Sequence, residues 1–127
     1  MDHAEGVRLG EGWVADWNRH DLDSVMARLH DDIAFSSPHI PLMAGEPSGV
    51  LRGKAAVRAY WAEALRRLPD LHFDLLGVTV GHDALAIRYT NERGRESVEV
   101  LLLDGDGLVI RGAGTYADPV GGEQLEE

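Results

Sequence analysis

The stretch that decides the fold is WVADWNRHDLD, residues 13–23, and it is followed at residues 31–38 by DDIAFSSP. Leu9, Trp13 and Trp17 recur at every fourth position, which places one apolar stripe on a first helix. The polar residues after Trp17 end this helix. The stretch therefore predicts a helix, a corner and a second helix that leads into a strand.

The second helix and the first strand follow from local rules. Asp21 is a good N-cap, and apolar residues then recur with the spacing of an amphipathic helix, at Leu22, Val25, Met26 and Leu29. The first strand is predicted over 33–37 and ends at Pro38. Residues 38–52 are rich in proline and glycine and are predicted as a long irregular loop, which in a small domain is often a lid over a pocket.

The remainder of the chain predicts one more helix and then only strands. The third helix opens at Gly53 and closes at Pro69. Strands are predicted at 71–80, 84–91, 96–103 and 108–117, and the short turns between them require antiparallel pairing. The predicted fold class is α+β, with three N-terminal helices packed on a strongly curved antiparallel sheet that forms a cone with an internal cavity.

The composition excludes several classes of partner. The chain has 127 residues and a formal net charge of -10, which argues against nucleic acid and membrane surfaces because both favour Lys and Arg clusters. It contains no cysteine, which fits a reducing cytoplasm, and no apolar run long enough to span a membrane. We expect a single cytoplasmic domain over residues 1–127, with a flexible acidic tail at 119–127.

Four segments of the chain together resemble a known family. They are WVADWNRHDLD at 13–23, DDIAFSSP at 31–38, GKAAVRAYW at 53–61 and PDLHF at 69–73. They resemble the SnoaL-like branch of the nuclear transport factor 2-like superfamily, which shares the cone fold of ketosteroid isomerase, and the resemblance covers residues 8–118. It implies no single activity, because that superfamily includes isomerases, cyclases, dehydratases, epoxide hydrolases and non-catalytic binding domains.

The resemblance to ketosteroid isomerase implies roles for three positions. Ser37 stands where that enzyme has its general-base aspartate, and a serine cannot act as a carboxylate base. Trp13 stands where the enzyme has an oxyanion-binding tyrosine, and an indole N–H can donate a hydrogen bond but cannot take a proton. Glu99 stands where the enzyme has a second oxyanion-binding acid, so one of the three roles is retained.

Glu99 is the first catalytic candidate, and two orientations of its side chain are open. It lies in VEVLLL, residues 98–103, which is apolar on both sides. If Glu99 faces the pocket with Leu101, burial raises the pKa of its carboxyl group and suits it to acid/base work. If it faces outward, it pairs with Arg88, because a hairpin loop of four residues would set positions 88 and 99 opposite each other.

The second catalytic candidate is His39, which begins the proline-rich loop; an exposed loop histidine is the alternative. The predicted substrate-binding residues are Trp13, Tyr60, Tyr89, Asn91, Leu101 and Tyr116. We expect Trp17 and Trp61 to serve packing instead. No set of histidines and carboxylates has the spacing of metal ligands, so we expect no metal. Residues 10–15 and 112–117 match G-x-G-x-x-A but do not lie in a βαβ unit, so we expect no nucleotide cofactor either.

Three functional hypotheses follow. The first is a cofactor-independent isomerase, cyclase or dehydratase that acts on a small apolar compound with a carbonyl or hydroxyl group. The second is a module that binds such a compound without turnover, and the third is an interaction domain with a vestigial cavity. Because the late strands are apolar on both faces, we also expect a homodimer through the outer face of the sheet.

Overall fold

The computed structural model describes residues 1–120 and has, within that range, four helices and one six-stranded sheet. The elements are α1 (His3–Asn18), α2 (Leu22–Ala27), β1 (Leu29–Ser36), α3 (Ile40–Met43), β2 (Val50–Arg52), α4 (Lys54–Arg67), β3 (Asp74–Val80), β4 (Ala84–Thr90), β5 (Glu96–Leu103) and β6 (Val109–Tyr116). The strands lie in the order β2-β1-β6-β5-β4-β3, in a curved sheet that does not close on itself. This confirms the predicted α+β fold. The acidic tail predicted at 119–127 lies outside the described residues apart from its first two positions.

The first strand is longer than predicted and includes the only parallel pairing within residues 1–120. β1 begins at Leu29 rather than Ile33, because Leu29 pairs with Val109 of β6 instead of extending α2. The Val109 N–H also donates to the carbonyl oxygen of Arg28 at 2.8 Å. β1 and β6 can be parallel because the chain between them contains a whole crossover, whereas β3 to β6 form the predicted antiparallel meander.

The segment predicted as an irregular loop, 38–52, contains the short helix α3 and the strand β2. β2 pairs antiparallel with the end of β1, where Ser36 lies opposite Val50. Gly49 has a φ of +73°, a conformation that favours glycine, and its carbonyl oxygen accepts the Ser37 N–H at 3.0 Å. The segment is therefore attached to the sheet at both ends.

The helix α1 begins at His3, although Gly6, Gly10 and Gly12 have low helix propensity. Asp2 and Glu5 form a capping box at its N-terminus. Gly6 and Gly10 then face the sheet, where an added Cβ would lie 2.5 Å from Val80 and 2.7 Å from Val78. The glycines thus weaken the isolated helix but allow it to lie closely against β3.

The core lies between the helices and the inner face of the sheet. Trp13, Ile33, Ile87 and Leu101 have no exposed surface. Burial alternates along β4 and β5, so every second residue of these strands points into the core. Within residues 1–120, no helix has the length and apolar character that a membrane span requires.

Candidate functional site

Glu99 lies on the inner face of the sheet. Its neighbours across the ladder are Ile87 on β4 and Gly114 on β6, and it is 6% exposed. The alternative in which Arg88 lies opposite Glu99 is wrong, because residues 91–95 form a five-residue connection that sets Arg88 against Val98. The outward pair of Arg88 is instead Glu96, at 3.3 Å.

A cavity of about 120 Å³ adjoins Glu99 between α4 and the inner face of the sheet. Its wall is mainly aromatic and aliphatic, and charged residues surround its outer end. The lining consists of Trp17, Phe35, His39, Met43, Tyr60, Trp61, Ala64, Leu68, Leu71, Phe73, Tyr89, Asn91, Glu92, Arg95, Glu96, Ser97, Glu99, Tyr116 and Asp118. A ligand in this cavity would meet Glu99 in a largely apolar environment.

Burial determines the ionisation of Glu99. Removal from water raises the pKa of its carboxyl group from 4.5 to about 7, because the charged form is poorly solvated there. The indole N–H of Trp13 donates to Glu99 Oε1 at 3.0 Å and acts in the opposite direction, favouring the carboxylate. Glu99 therefore has substantial populations of both protonation states near pH 7, as a general acid or base requires.

Three tyrosines surround the Glu99 carboxyl group from different elements. Burial raises the pKa of Tyr60 on α4 to about 12, and it raises the pKa of Tyr89 on β4 and of Tyr116 on β6 above their usual values. The negative charge of Glu99 contributes to the raised pKa of each phenol. All three hydroxyls therefore remain neutral near pH 7 and can donate hydrogen bonds to a ligand.

Ser37 belongs to this polar cluster. Its Oγ accepts the Tyr60 hydroxyl at 3.4 Å and the backbone N–H of His39 at 3.2 Å. Gly114 keeps the neighbouring space open, since an added Cβ there would lie 3.3 Å from Tyr116 Oη and 3.7 Å from Ser37 Oγ. Ser37 thus organises the hydroxyl groups beside Glu99 without adding a charge.

His39 is a buried residue of the cavity wall rather than an exposed loop histidine. Its imidazole packs edge-on against the Tyr116 ring, with 4.6 Å between ring centroids. Burial lowers the pKa of the imidazole, so His39 is neutral near pH 7. Its Nδ1 and the Nε1 of Trp17 are buried without a hydrogen-bond partner among residues 1–120.

Most of the predicted site residues line the cavity, with two exceptions. Glu99, His39, Tyr60, Tyr89, Asn91 and Tyr116 belong to the lining. Trp13 and Leu101 do not belong to the lining, and both are fully buried in the core. On β5, the lining residues lie between Glu96 and Glu99, before Leu101. Conversely, Trp17 and Trp61 were predicted to serve packing and belong to the lining.

Ser97 and Phe73 are among the lining residues that were not predicted from the sequence. Ser97 lies two residues before Glu99, so the alternation of the strand places it on the same face. Phe73 precedes β3, and its ring packs on Tyr89 with 4.1 Å between centroids. The strand period was a usable signal for Ser97, whereas no local pattern points to Phe73.

Within residues 1–120, no cluster of three His, Asp or Glu side chains is arranged to hold a metal ion.

Comparisons with known proteins agree with this architecture. A family model described as a SnoaL-like domain matches residues 11–122. A SnoaL-like protein of unknown function from Burkholderia thailandensis is 42% identical in sequence and superposes with a TM-score of 0.88, over 93% of this chain and 98% of that one. No curated protein sequence matches the chain.

More distant structures share the fold at low sequence identity. A candidate isomerase of the SnoaL-like family from Agrobacterium tumefaciens is 15% identical with a TM-score of 0.72, over 91% of this chain and 99% of that one. AclR, a candidate hydroxylase from Streptomyces galilaeus, is 22% identical with a TM-score of 0.72, over 91% and 90% of the two chains.

Proposed function

Because the chain belongs to the SnoaL-like domain family, we propose that it is a cofactor-independent enzyme that transfers a proton on a small, mainly apolar carbonyl compound. The observation that carries this proposal is the Glu99 carboxyl group, which lines an aromatic cavity where burial raises its pKa to about 7. The reaction belongs with isomerisation, cyclisation or dehydration, in which a carbon-bound proton is removed next to a carbonyl group.

Glu99 would act first as a base and then as an acid. Its carboxylate takes a proton from the carbon beside the carbonyl group, and the electron pair moves onto the carbonyl oxygen. Neutral hydroxyls of Tyr60, Tyr89 and Tyr116 are suited to stabilise the resulting enolate by hydrogen bonding. The protonated Glu99 then returns the proton to another carbon, or to a hydroxyl that leaves as water. His39, being neutral, would assist as a hydrogen-bonding group.

The size of the cavity limits the substrate. A volume of about 120 Å³ is close to that of an engineered protein cavity, about 150 Å³, that accommodates benzene. One ring or a short branched chain therefore fits beside Glu99. Any polar substituent would extend towards the outer end, where Glu92, Arg95 and Asp118 are found.

Exchange of carbon-bound protons tests the proposal before the natural substrate is known. Small cyclic ketones and enones are incubated with the protein in D2O, and deuterium uptake is followed by NMR. Glu99→Gln should slow catalysed exchange by about 100-fold or more. Glu11→Gln is the matched control, because Glu11 is an exposed residue of α1 that does not line the cavity, and it should leave exchange unchanged. Equal exchange rates with wild type and Glu99→Gln would contradict the proposal.

A non-catalytic binding module is the second candidate function. It is favoured by Ser37, which stands where ketosteroid isomerase, in the resemblance described above, has its general-base aspartate. Under this alternative, native mass spectrometry would find a bound small molecule and the ketones would exchange no faster than in buffer. Glu99→Gln would then change ligand affinity alone.

We also propose a homodimer through the outer face of the sheet. Ala86, Val100 and Ala113 lie side by side across β4, β5 and β6, and Leu102 beside them is 38% exposed. An apolar face of this kind favours a second copy of the same sheet. Sedimentation equilibrium should show a dimer that Leu102→Glu dissociates, whereas Leu76→Glu on the edge strand β3 should not. A wild-type monomer at micromolar concentration would contradict the dimer.

A further inference from the structure

We propose that Trp13 is a positioning residue for proton transfer: its indole N–H holds Oε1 of Glu99, and Oε2 is thereby the oxygen that exchanges the proton with the ligand. The inference rests on the proposed function, since it concerns how Glu99 would act as an acid and a base. It gives Trp13 a role different from the substrate contact that we predicted from the sequence.

The hydrogen bond between the two side chains is fixed in direction. Trp13 has no exposed surface, and its ring packs edge-on against Trp61 with 5.9 Å between centroids, so the indole has little freedom to turn away. Its N–H lies 3.0 Å from Glu99 Oε1. An indole nitrogen can only donate a hydrogen bond, so Oε1 must accept in both protonation states of Glu99.

The other carboxyl oxygen, Oε2, remains open to the cavity. It has no hydrogen-bond partner within residues 1–120, as the Trp13 contact is the one hydrogen bond of this side chain there. In this part of the chain, the fully buried side-chain N and O atoms without a hydrogen-bond partner are Trp17 Nε1 and His39 Nδ1. Oε2 also has no partner there but is not one of these fully buried atoms. Oε2 therefore retains accessible surface, and Glu99 lines the cavity.

These two facts assign the proton to one oxygen. When Glu99 is protonated, its carbonyl oxygen is the stronger hydrogen-bond acceptor, so the indole N–H favours Oε1 as the carbonyl oxygen and the carboxyl proton is on Oε2, at the cavity. When Glu99 is ionised, the indole N–H makes a charge-assisted hydrogen bond to Oε1, and Oε2 is free to accept a proton. The same oxygen thus acts in both steps, without rotation of the carboxyl group.

The surroundings of Glu99 make this hydrogen bond electrostatically important. Among residues 1–120, the titratable groups that interact electrostatically with Glu99 are Tyr60 from α4, Tyr89 from β4 and Tyr116 from β6; His39 lines the same cavity, and all four are neutral near pH 7. The Trp13 N–H is the hydrogen bond that favours the carboxylate over the acid. Without it, Glu99 would be protonated to a higher pH and its carboxyl group would be free to turn.

The test is a carbon NMR titration of the Glu99 carboxyl group in three variants. Trp13→Phe removes the N–H but also some volume. Replacement of Trp13 by 3-benzothienylalanine puts a sulfur atom in place of the N–H at nearly constant shape, so it serves if Trp13→Phe does not fold. Trp17→Phe is the matched control for the titration, because Trp17 Nε1 has no hydrogen-bond partner within residues 1–120 to lose.

Both Trp13 variants should raise the Glu99 pKa by about one unit, and the pH profile of ketone proton exchange should move by the same amount. Trp17→Phe should leave the Glu99 pKa at the wild-type value. A raised wild-type pKa that neither Trp13 variant moves would overturn the positioning role and leave the proposed function standing. A wild-type Glu99 pKa near 4.5 would overturn the proposed function, and with it this inference.

Discussion

Glu99→Gln should alter the pH dependence of stability in a specific direction. Glutamine is the neutral counterpart of the protonated carboxyl group, and its Oε1 can accept the same Trp13 hydrogen bond. Below about pH 4.5, wild type and variant should therefore differ little in their pH dependence, because Glu99 is protonated in the folded and the unfolded protein alike. As the pH rises towards 7, the unfolded wild type releases this proton and the folded protein retains it. Wild type then loses stability relative to the variant.

The magnitude follows from the two pKa values. Burial raises the pKa of Glu99 from 4.5 to about 7, and each pKa unit corresponds to about 1.4 kcal/mol. The free energy of unfolding of wild type should thus fall by about 3 kcal/mol relative to Glu99→Gln between these pH values. Because Glu99 is 6% exposed, solvent screens little of this effect. Above about pH 7 both states are ionised and the difference should remain constant.

Urea unfolding monitored by tryptophan fluorescence, repeated from about pH 4 to pH 8, measures this difference. Wild type and variant share all other titrating groups, so the contributions of those groups to the pH dependence cancel in the difference. Glu63→Gln is the control, because the pKa of Glu63 is shifted in the opposite direction to that of Glu99. Arg66 and Arg67 hold the pKa of the Glu63 carboxyl group down at about 2, so its stabilising contribution is lost only as the pH falls below 4.5. Its difference from wild type should be flat between pH 4.5 and 7.

Parallel stability curves for wild type and Glu99→Gln would refute the reasoning. They would mean that Glu99 titrates as an exposed carboxyl group does, and the acid/base role would lose its physical basis. A gap that closed with rising pH would mean that the folded protein stabilises the carboxylate, in which case Glu99 would be a fixed charge rather than a proton carrier.

Three other predictions concern particular contacts. Gly10→Ala should destabilise the protein by about 1 kcal/mol or more despite the better helix propensity of alanine, because the new Cβ would lie 2.7 Å from Val78, and the urea midpoints of wild type and variant measure the difference. Asp16→Asn should cost about 2 kcal/mol by the same assay, since this buried carboxylate pairs with two arginines. The His39 imidazole should titrate below pH 6.5 in proton NMR because it is buried, and a normal or raised pKa would contradict its placement in the cavity wall.

The fold was largely predictable because each element carries its own period. The four-residue spacing of α1, the cap at Asp21 and the alternating late strands were all visible locally. The end of α2 was not, because the fate of Leu29 depends on pairing with Val109, which lies far along the chain. The segment 38–52 was likewise underpredicted, since β2 exists only through its pairing with β1.

The orientation of Glu99 depended on one residue in a turn. Asn91 accepts hydrogen bonds at its side-chain oxygen from the backbone N–H groups of Arg93 and Arg95, at 2.9 and 3.0 Å, and this closes a five-residue connection. A four-residue loop would instead have set Arg88 opposite Glu99. Both loops are compatible with the composition of this turn, so the sequence left both orientations open.

The exchange of roles between Trp13 and Trp17 has a cause in the packing of α1. This helix runs antiparallel to β3: Gly10 lies against Val78, while Asn18 exchanges two hydrogen bonds with the backbone of Phe73, which precedes the strand. The last turn of α1 therefore reaches the open end of the sheet, where Trp17 joins the cavity wall. One turn earlier, Trp13 is enclosed in the core and meets the Glu99 carboxyl group instead. A stripe of tryptophans at four-residue spacing cannot distinguish these positions, because the distinction arises from where the helix lies along a strand about 60 residues away in sequence.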